Sequence, residues 1–208
     1  GGDYHGPLRM RTALANDYLT PLAQTFSQIG AANVLRLAEP LGVTLLERGS
    51  GSAELLFSGG DVDPLALAQG YATLANQGVR IGARLGAQSD LRPLMVLSAV
   101  DRDGRAWLEP PQSETQSVLS APLAYLVHAV LSDETARWAS LGHPNPLEIG
   151  RPAAAKVGAT ADGGQAWAVG YTPQRLSLIW LSRMQDDNNQ RMEPRAAAGV
   201  WHAVMQYA

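Results

Sequence analysis

The chain has 208 residues, of which 46% are hydrophobic and 17% are charged, and its formal net charge is -3. This composition predicts a folded chain with a sizeable core, and the lack of a basic surplus argues against nucleic acid as a partner. Cysteine is absent, which excludes disulfides, thiol catalysis and cysteine metal sites, and no apolar run reaches the ~18 residues that suggest a membrane span.

Residues 1–92 are predicted to form a mainly helical part. Apolar residues from Leu14 to Leu41 recur at helical spacing, and breaks at Pro21, Gly30 and Pro40 divide them into two or three short helices.

A better-marked helix is predicted from Leu65 to Asn76. Asp63 is a suitable N-cap, Pro64 suits the first helical position, and Gly78 lies just past the end.

The segments on either side of that helix lack periodicity. Residues 49–60 are rich in Gly and Ser, but no Gly-Lys-Ser/Thr of a phosphate loop comes after them, so they are interpreted as turns. Residues 80–92 mix Gly, Arg and Ser and are predicted to be a loop.

Residues 93–152 are predicted to contain a hairpin, a helix and a loop. Two short strands flank an Asp-Gly turn within 94–108, which is a hairpin signal. Residues 120–131 are amphipathic and open with Ser-Ala-Pro, which indicates a capped helix. Residues 142–152 are rich in Pro and Gly and are predicted to connect this helix to the next strand.

The last part, residues 153–208, is predicted to be a sheet meander with a closing helix. Three strand-like runs at 153–160, 165–171 and 176–181 are joined by turns short enough to require antiparallel pairing. A helix is predicted at 196–207, with Val200, Val204 and Tyr207 on one face. The whole chain is therefore interpreted as one α/β (α+β) unit, an antiparallel sheet flanked by helices.

Four sequence blocks, in this order, resemble the transpeptidase domain of class A penicillin-binding proteins. The blocks are residues 4–16, 63–78, 156–160 and 165–173, the last reading Gln-Ala-Trp-Ala-Val-Gly-Tyr-Thr-Pro. The resemblance implies a β-lactamase-like fold and a chain that matches the C-terminal portion of the domain. It further implies that three of the family's five sheet strands are present, with a sheet edge left open for a missing N-terminal half.

The resemblance also allows the family's catalytic motifs to be located. The family uses a Ser-x-x-Lys nucleophile, a Ser-x-Asn motif and a Lys-Thr-Gly strand. The first is not in this chain, whose only lysine is Lys156. At the second, Asp17, Tyr18 and Leu19 replace Ser-x-Asn, and the alkyl group of Leu19 cannot hydrogen-bond a substrate amide.

The Lys-Thr-Gly strand is matched by Lys156, Val157, Gly158, Ala159 and Thr160. Lys156 and Gly158 are retained, whereas Val157 lacks the hydroxyl that would meet a substrate carboxylate, a loss of about 1.5–3 kcal/mol of binding. Thr160 offers a nearby hydroxyl whose direction on the strand the sequence leaves open.

Several residues have a structural interpretation beside a functional one. Lys156 is either a retained anion-binding group or a solvated charge, and Asp17 with Tyr18 is either a new acid–base pair or a helix turn with Tyr18 in the core. The sequence favours the second interpretation of Asp17 and Tyr18. Trp167 and Trp180 on adjacent strands are interpreted as core rather than a ligand groove.

The four histidines have no zinc-type spacing, and neither a metal nor another cofactor is expected.

Three functions are consistent with these residues and the resemblance. The first is the substrate-strand part of an active D,D-transpeptidase whose serine lies outside this chain. The second, preferred, is a catalytically inactive module that binds peptidoglycan stem peptides or other cell-wall synthesis proteins. The third, least favoured, is a new reaction using Asp17 and Lys156. The resemblance implies an extracytoplasmic location, anchored through a parent region that this chain does not contain.

Overall fold

A computed structural model describes residues 6–43, 61–84, 90–108, 112–183 and 191–207. The turns predicted at 49–60 lie outside the described residues, as do the first two residues of the block at 4–16. No described helix has the length and apolar character needed to cross a membrane.

Three short helices form the N-terminal region, as the helical spacing predicts. They are α1 (Met10–Ala15), α2 (Leu19–Ile29) and α3 (Ala31–Ala38). Gly30 separates α2 from α3 with a φ of 83°, a left-handed conformation that glycine adopts without strain. The break between α1 and α2 falls at Asp17 and Tyr18, where the resemblance places the Ser-x-Asn motif.

Helix α4 (Pro64–Ala75) confirms the helix predicted from its capping residues. Asp63 accepts a hydrogen bond from the Leu65 N–H at 2.9 Å. Gly78 lies just beyond the helix with a φ of +86°, and a Cβ there would lie 2.4 Å from the Leu119 carbonyl oxygen. Both the conformation and this close approach require glycine.

The prediction of a loop at 80–92 is wrong at its start. Strand β1 (Val79–Gly82) pairs antiparallel with β4 (Glu114–Ser117). The guanidinium of Arg80 is buried against Gln69 Oε1 and the Leu91 carbonyl. The strand depends on a partner more than 30 residues away, so local periodicity does not reveal it.

The predicted hairpin is confirmed with shorter strands, β2 (Ala99–Val100) and β3 (Ala106–Leu108). Asp101 Oδ1 organises the turn by accepting from the N–H groups of Asp103 and Arg105 at 2.9 and 2.8 Å. These hydrogen bonds, that from Arg105 most strongly, hold the pKa of the Asp101 carboxyl below its usual value.

Helix α5 (Ala121–Leu131) confirms the helix predicted after Ser120. The Ser120 side chain makes no cap hydrogen bond within the described residues, so Pro in the first turn is the start signal that the structure uses. A 3-10 turn (Thr135–Arg137) and the short helix α6 (Trp138–Leu141) come next, and the sequence did not predict them.

Strands β5 (Ala154–Ala159), β6 (Gln165–Tyr171) and β7 (Leu176–Ser182) form an antiparallel sheet in that order. This confirms the predicted meander. The register places Lys156 opposite Val169 and Trp167 opposite Trp180. Within the described residues neither outer edge of the sheet is paired with another strand.

One face of this sheet packs against the closing helix α7 (Pro194–Gln206). Its core contains small residues from the strands together with Trp201 and Met205 of the helix, which are 0% and 1% exposed. Four alanines, Ala153, Ala155, Ala197 and Ala198, therefore allow the strand and the helix to pack closely.

The predicted stripe Val200, Val204 and Tyr207 lies on the exposed side of α7. Two alanines, the indole of Trp201 and the unbranched Met205, rather than branched residues, make the buried face. The other face of the sheet packs against α4 and α5, and it carries Lys156.

Candidate functional site

The structure joins Asp17 and Lys156, which the resemblance places in two different family motifs, through an ion pair. Lys156 Nζ lies 2.6 Å from Asp17 Oδ2, although the two residues are 139 positions apart in the chain. The Lys156 side chain is 16% exposed and that of Asp17 is 53% exposed. Lys156 is therefore not a simple solvated charge, and Asp17, although exposed, is paired.

The backbone between α1 and α2 presents Asp17 toward the sheet. Asp17 has a φ of 56°, an uncommon conformation for a residue with a side chain, although Asp tolerates it better than most. The buried Asn16 holds this turn, because its amide donates to the carbonyls of Thr12 and Ala136 and its Oδ1 accepts from the Ser140 N–H. No pattern in the sequence singles out Asn16.

Tyr18 and Leu19 come directly after Asp17, where α2 begins. Tyr18 is half-buried rather than in the core, and Leu19 is 49% exposed. The position that the resemblance assigns to the asparagine of Ser-x-Asn thus presents an alkyl group to the surface, where it offers no hydrogen bond.

Strand β5 sends alternate side chains to opposite faces of the sheet. Lys156 and Gly158 lie on the face toward α4 and α5, whereas Val157 is 9% exposed in the core beneath α7. No atom of the described residues lies within 4 Å of where a Cβ on Gly158 would be, so this part of the face is open.

Thr160 does not supply the hydroxyl that Val157 lacks. Its Oγ1 accepts a hydrogen bond from the Gln165 N–H at 2.9 Å, which places it within the turn between β5 and β6. Ala159, at the end of β5, is exposed.

The outer edge of β5 carries two carbonyls that accept from cationic side chains. Arg137 Nη1 donates to the Ala155 oxygen at 3.2 Å, and Lys156 Nζ donates to the Val157 oxygen at 2.8 Å. In an antiparallel strand, every second residue directs its backbone hydrogen bonds toward the same neighbouring strand. The Thr160 N–H donates to the carbonyl of Gln165, the first residue of β6, so the even-numbered residues of β5 bond to β6 and the odd-numbered residues face the outer edge. The N–H groups of Val157 and Ala159 therefore face the open edge.

Two tyrosines on the same face of the sheet as Lys156, Tyr71 of α4 and Tyr171 of β6, do not act as bases at neutral pH. Burial, followed by Tyr171 and Asp17, raises the pKa of Tyr71 to about 12. Burial raises the pKa of Tyr171 to about 12, and its hydroxyl has no hydrogen-bond partner within the described residues. Both phenols stay protonated in the neutral range.

Trp167 and Trp180 stack with ring centroids 5.5 Å apart on the same face as Gly158. Trp180 is 48% exposed, and its indole N–H donates to Gln165 Oε1 at 3.1 Å. The pair is therefore a partly exposed sheet surface rather than the core that the sequence predicts.

A second ion pair fixes α1 against α5. Arg11 Nη1 donates to Asp133 Oδ2 at 3.0 Å and also to the Ala129 carbonyl. Burial of Asp133 tends to raise its pKa, but hydrogen bonds from the Thr135 hydroxyl, the Ala136 N–H and Arg11 outweigh it, so the pKa lies below the ordinary 3.8. This network positions the helix that precedes Asp17, and no sequence pattern points to it.

Replacing Asp133 with asparagine should lower the free energy of unfolding by about 1 kcal/mol at pH 7. Because the folded-state pKa of Asp133 is depressed, this advantage of the wild type is present above pH 3.8 and is lost as the pH falls through the folded-state pKa. Urea denaturation of both proteins at several pH values between 7 and 3 measures it. A difference that stays constant on acidification would contradict the assignment.

Within the described part of the chain, no group of three or more His, Asp or Glu residues is arranged to hold a metal ion.

The fold is that of a penicillin-binding protein transpeptidase domain. The structure superposes on the penicillin-binding protein PonA1 from Mycobacterium tuberculosis with a TM-score of 0.71 and 19% identity, covering 98% of this chain and 57% of that one.

The sequence relatives of this chain are class A penicillin-binding proteins. Penicillin-binding protein 1A of Aquifex aeolicus is 27% identical over 181 residues, which cover 85% of this chain. Penicillin-binding protein 1A/1B of Bacillus subtilis is 27% identical over 205 residues, which cover 90%. This chain is homologous to that class over most of its length, as its four sequence blocks predict.

The matched regions are 22% and 21% of those two relatives, so the chain spans about a fifth of their length. No family model matches the chain.

Proposed function

We propose that this chain is the transpeptidase-like part of a peptidoglycan synthase that binds stem peptide without catalysing acyl transfer. The ion pair between Asp17 and Lys156 is the observation that carries this proposal. The carboxylate of Asp17 lies where the family pattern has the serine of Ser-x-Asn. It accepts a hydrogen bond from the ammonium of Lys156 at 2.6 Å. Because the Asp17 carboxylate offsets the positive charge of Lys156, the lysine attracts a substrate carboxylate less strongly.

The chemistry of the remaining motif positions supports the loss of catalysis. Leu19 removes the amide, Val157 directs its side chain into the core, and the Thr160 hydroxyl is used in a turn. A proton relay needs groups that both accept and donate, and an aspartate already paired with lysine is a poor substitute for a serine hydroxyl.

The open edge of β5 supports peptide binding. An extended peptide can pair with the N–H groups of Val157 and Ala159, as strands add to free sheet edges in many peptide complexes. The open surface over Gly158 leaves room for a small side chain beside that pairing. The ligand that fits is a short peptide with small residues at its end, which is the chemistry of a D-Ala-D-Ala stem.

Calorimetry of the chain with a pentapeptide ending in D-Ala-D-Ala tests the binding role. We expect saturable heat, and we expect Gly158→Val, which adds a branched side chain to the open surface, to abolish it. Replacing the exposed Val200 of α7 with threonine is a control that changes a surface far from β5. Absence of heat at millimolar peptide would refute the binding role.

A second candidate function is an active D,D-transpeptidase whose nucleophile comes from a segment outside this chain. The retained Lys156 favours it, as does the edge of β5, with which no strand of the described residues pairs. Incubating the full-length parent with fluorescent penicillin and measuring the intact mass separates the two candidates. A covalent adduct would overturn the inactive assignment, whereas peptide binding without an adduct supports the non-catalytic module.

We propose an extracytoplasmic location for the parent protein, because stem peptides are found there. Its partners would be stem peptides and other cell-wall synthesis proteins, and an N-terminal half of the same domain would complete the sheet. Protease protection in intact spheroplasts checks the location, since an extracytoplasmic domain is cleaved by added protease without lysis.

A further inference from the structure

The ammonium of Lys156 lies at the outer edge of β5, where the peptide of the proposed function would pair. Its Nζ donates to the Val157 carbonyl at 2.8 Å, and Val157 is one of the residues whose backbone groups face that edge. The Lys156 side chain is 16% exposed, so the ammonium is partly accessible from solvent. A peptide that ends beside the Val157 N–H would therefore bring its terminal carboxylate close to this cation.

The cation at this edge already holds a carboxylate from the chain itself. Asp17 Oδ2 accepts from Lys156 Nζ at 2.6 Å, and the Asp17 side chain is 53% exposed, so its charge also lies at the surface. Hydrogen bonds of the buried Asn16 hold the turn that carries Asp17. The backbone therefore places this carboxylate beside the ammonium before any ligand arrives.

The second cation at the edge does not offset Asp17. Arg137 donates to the Ala155 carbonyl but is 3% exposed, so its guanidinium is not accessible to a ligand. A terminal carboxylate beside Val157 would thus meet one ammonium and one carboxylate, whose effects on it have opposite signs. A terminal amide or a continuing peptide bond carries no charge and is not repelled by Asp17.

We propose that Asp17 makes this edge select peptides by their backbone and small side chains rather than by a free terminal carboxylate. The inference rests on the proposed peptide binding, and it narrows the class of ligand. Interior segments and amidated ends of small-residue peptides should bind at least as tightly as free ends. Asp17 is thus a specificity determinant that acts through the charge of Lys156.

Asp17→Asn removes the charge and keeps the shape of the side chain. Asparagine tolerates a positive φ as aspartate does, so the turn with its φ of 56° should be kept. Because Lys156 is then no longer paired with a carboxylate, a peptide ending in a free carboxylate should bind about tenfold more tightly, the low end for a hydrogen bond to a charged group. The same peptide ending in an amide should bind as before.

Asp17→Gly is a second variant that removes the carboxylate without introducing an amide. Glycine adopts this φ without strain, so the turn should again be kept. The preference for the free carboxylate should rise in the same direction as in Asp17→Asn.

Calorimetry of the full chain with two pentapeptides that differ only in a C-terminal acid or amide measures this preference. Glu193→Gln is the matched control, because it also removes one negative charge but lies exposed at the start of α7, on the other face of the sheet. Its ratio of acid to amide affinity should be that of the wild type. A general loss of folding or binding affects both peptides together, so the ratio isolates the charge of Asp17.

The single lysine of the chain gives a second readout by nuclear magnetic resonance. Lys156 is the only lysine, so its Nζ gives one side-chain signal in protein grown with isotopically labelled lysine. In the wild type the acid-ended peptide should shift this signal no further than the amide-ended peptide does. In Asp17→Asn the acid-ended peptide should shift it further.

Each outcome separates this inference from the proposed peptide binding. A preference for the acid that rises only in Asp17→Asn and Asp17→Gly supports both. Binding of the acid-ended peptide by these variants alone would keep the inference and refute peptide binding by the natural chain. Wild-type binding with the same preference in every variant, or with the acid already favoured about tenfold, would overturn the inference and leave peptide binding standing. No binding of either peptide by any variant would overturn both.

Discussion

Replacing Trp201 with alanine should lower the free energy of unfolding by about 3–5 kcal/mol, the range for emptying a large buried aromatic position. Trp201 is 0% exposed and packs in the core between α7 and the sheet. The other core residues near it are mostly alanines, whose short side chains cannot move into the space that the indole leaves. The cavity should therefore persist, and the cost should approach the upper end of the range.

Equilibrium urea denaturation measures this loss, and two variants act as controls. Trp201→Phe keeps most of the ring volume and removes an indole N–H that has no partner within the described residues, so it should cost much less than alanine. Val200→Ala, one residue earlier on the exposed side of α7, should change stability by less than about 0.5 kcal/mol. Equal losses for Trp201→Ala and Val200→Ala would contradict the observed packing of α7.

The elements that the sequence predicted well are those with local signals. Helix α4 has its cap at Asp63 and its stop at Gly78, and the three strands β5, β6 and β7 are separated by turns of a few residues. Short connections force adjacent strands to pair with one another, so no long-range knowledge is needed.

Strands β1 and β4 were missed for the converse reason. Val79 pairs with Ser117, which is far away in the chain, so no short turn indicates the pairing. Burial alternates along β1, but every residue of β4 is exposed, so β4 gives no strand pattern in the sequence. In α7 the stripe with Val200 and Val204 suggests a buried face, but these residues are exposed. The side with Ala197 and Ala198 is buried instead, because alanines let the helix approach the sheet more closely than valines do.

The candidate site could be predicted in part. The resemblance places Asp17 and Lys156 in two motifs, which stays a prediction, and no pattern in the sequence shows that the two residues meet. Their contact depends on how α1 is fixed by Asn16 and Arg11, at distances in the chain that local reasoning does not reach. The burial of Arg137 could not be predicted, because an arginine close to Glu134 in the sequence ordinarily indicates a solvated surface.

The ion pair is not what holds the sheet in place. At 16% and 53% side-chain exposure, the pair of Lys156 with Asp17 contributes little to stability, about 1 kcal/mol or less after solvent screening. The strand that carries Lys156 is instead fixed by the core beneath it. Substitutions at Asp17 or Lys156 are therefore compatible with the same fold.

Replacing Gly170 with alanine should be far more damaging than the same change at Gly158, although both lie in the same sheet. A Cβ at Gly170 would lie 2.6 Å from the Ala154 carbonyl oxygen and 2.6 Å from Cζ2 of Trp201. Neither group can move away, because one belongs to the backbone of β5 and the other to a fully buried ring. We expect Gly170→Ala to cost about 3 kcal/mol or more, the upper end for overpacking.

Gly158→Ala is the matched control for that variant, because no atom of the described residues lies within 4 Å of its Cβ position. It should change the free energy of unfolding by less than about 0.5 kcal/mol. Chemical denaturation of the two variants side by side provides the comparison. If they lose stability equally, the close approach of β5, β6 and α7 is incorrect; a loss confined to Gly170→Ala supports this packing around the strand that presents Lys156.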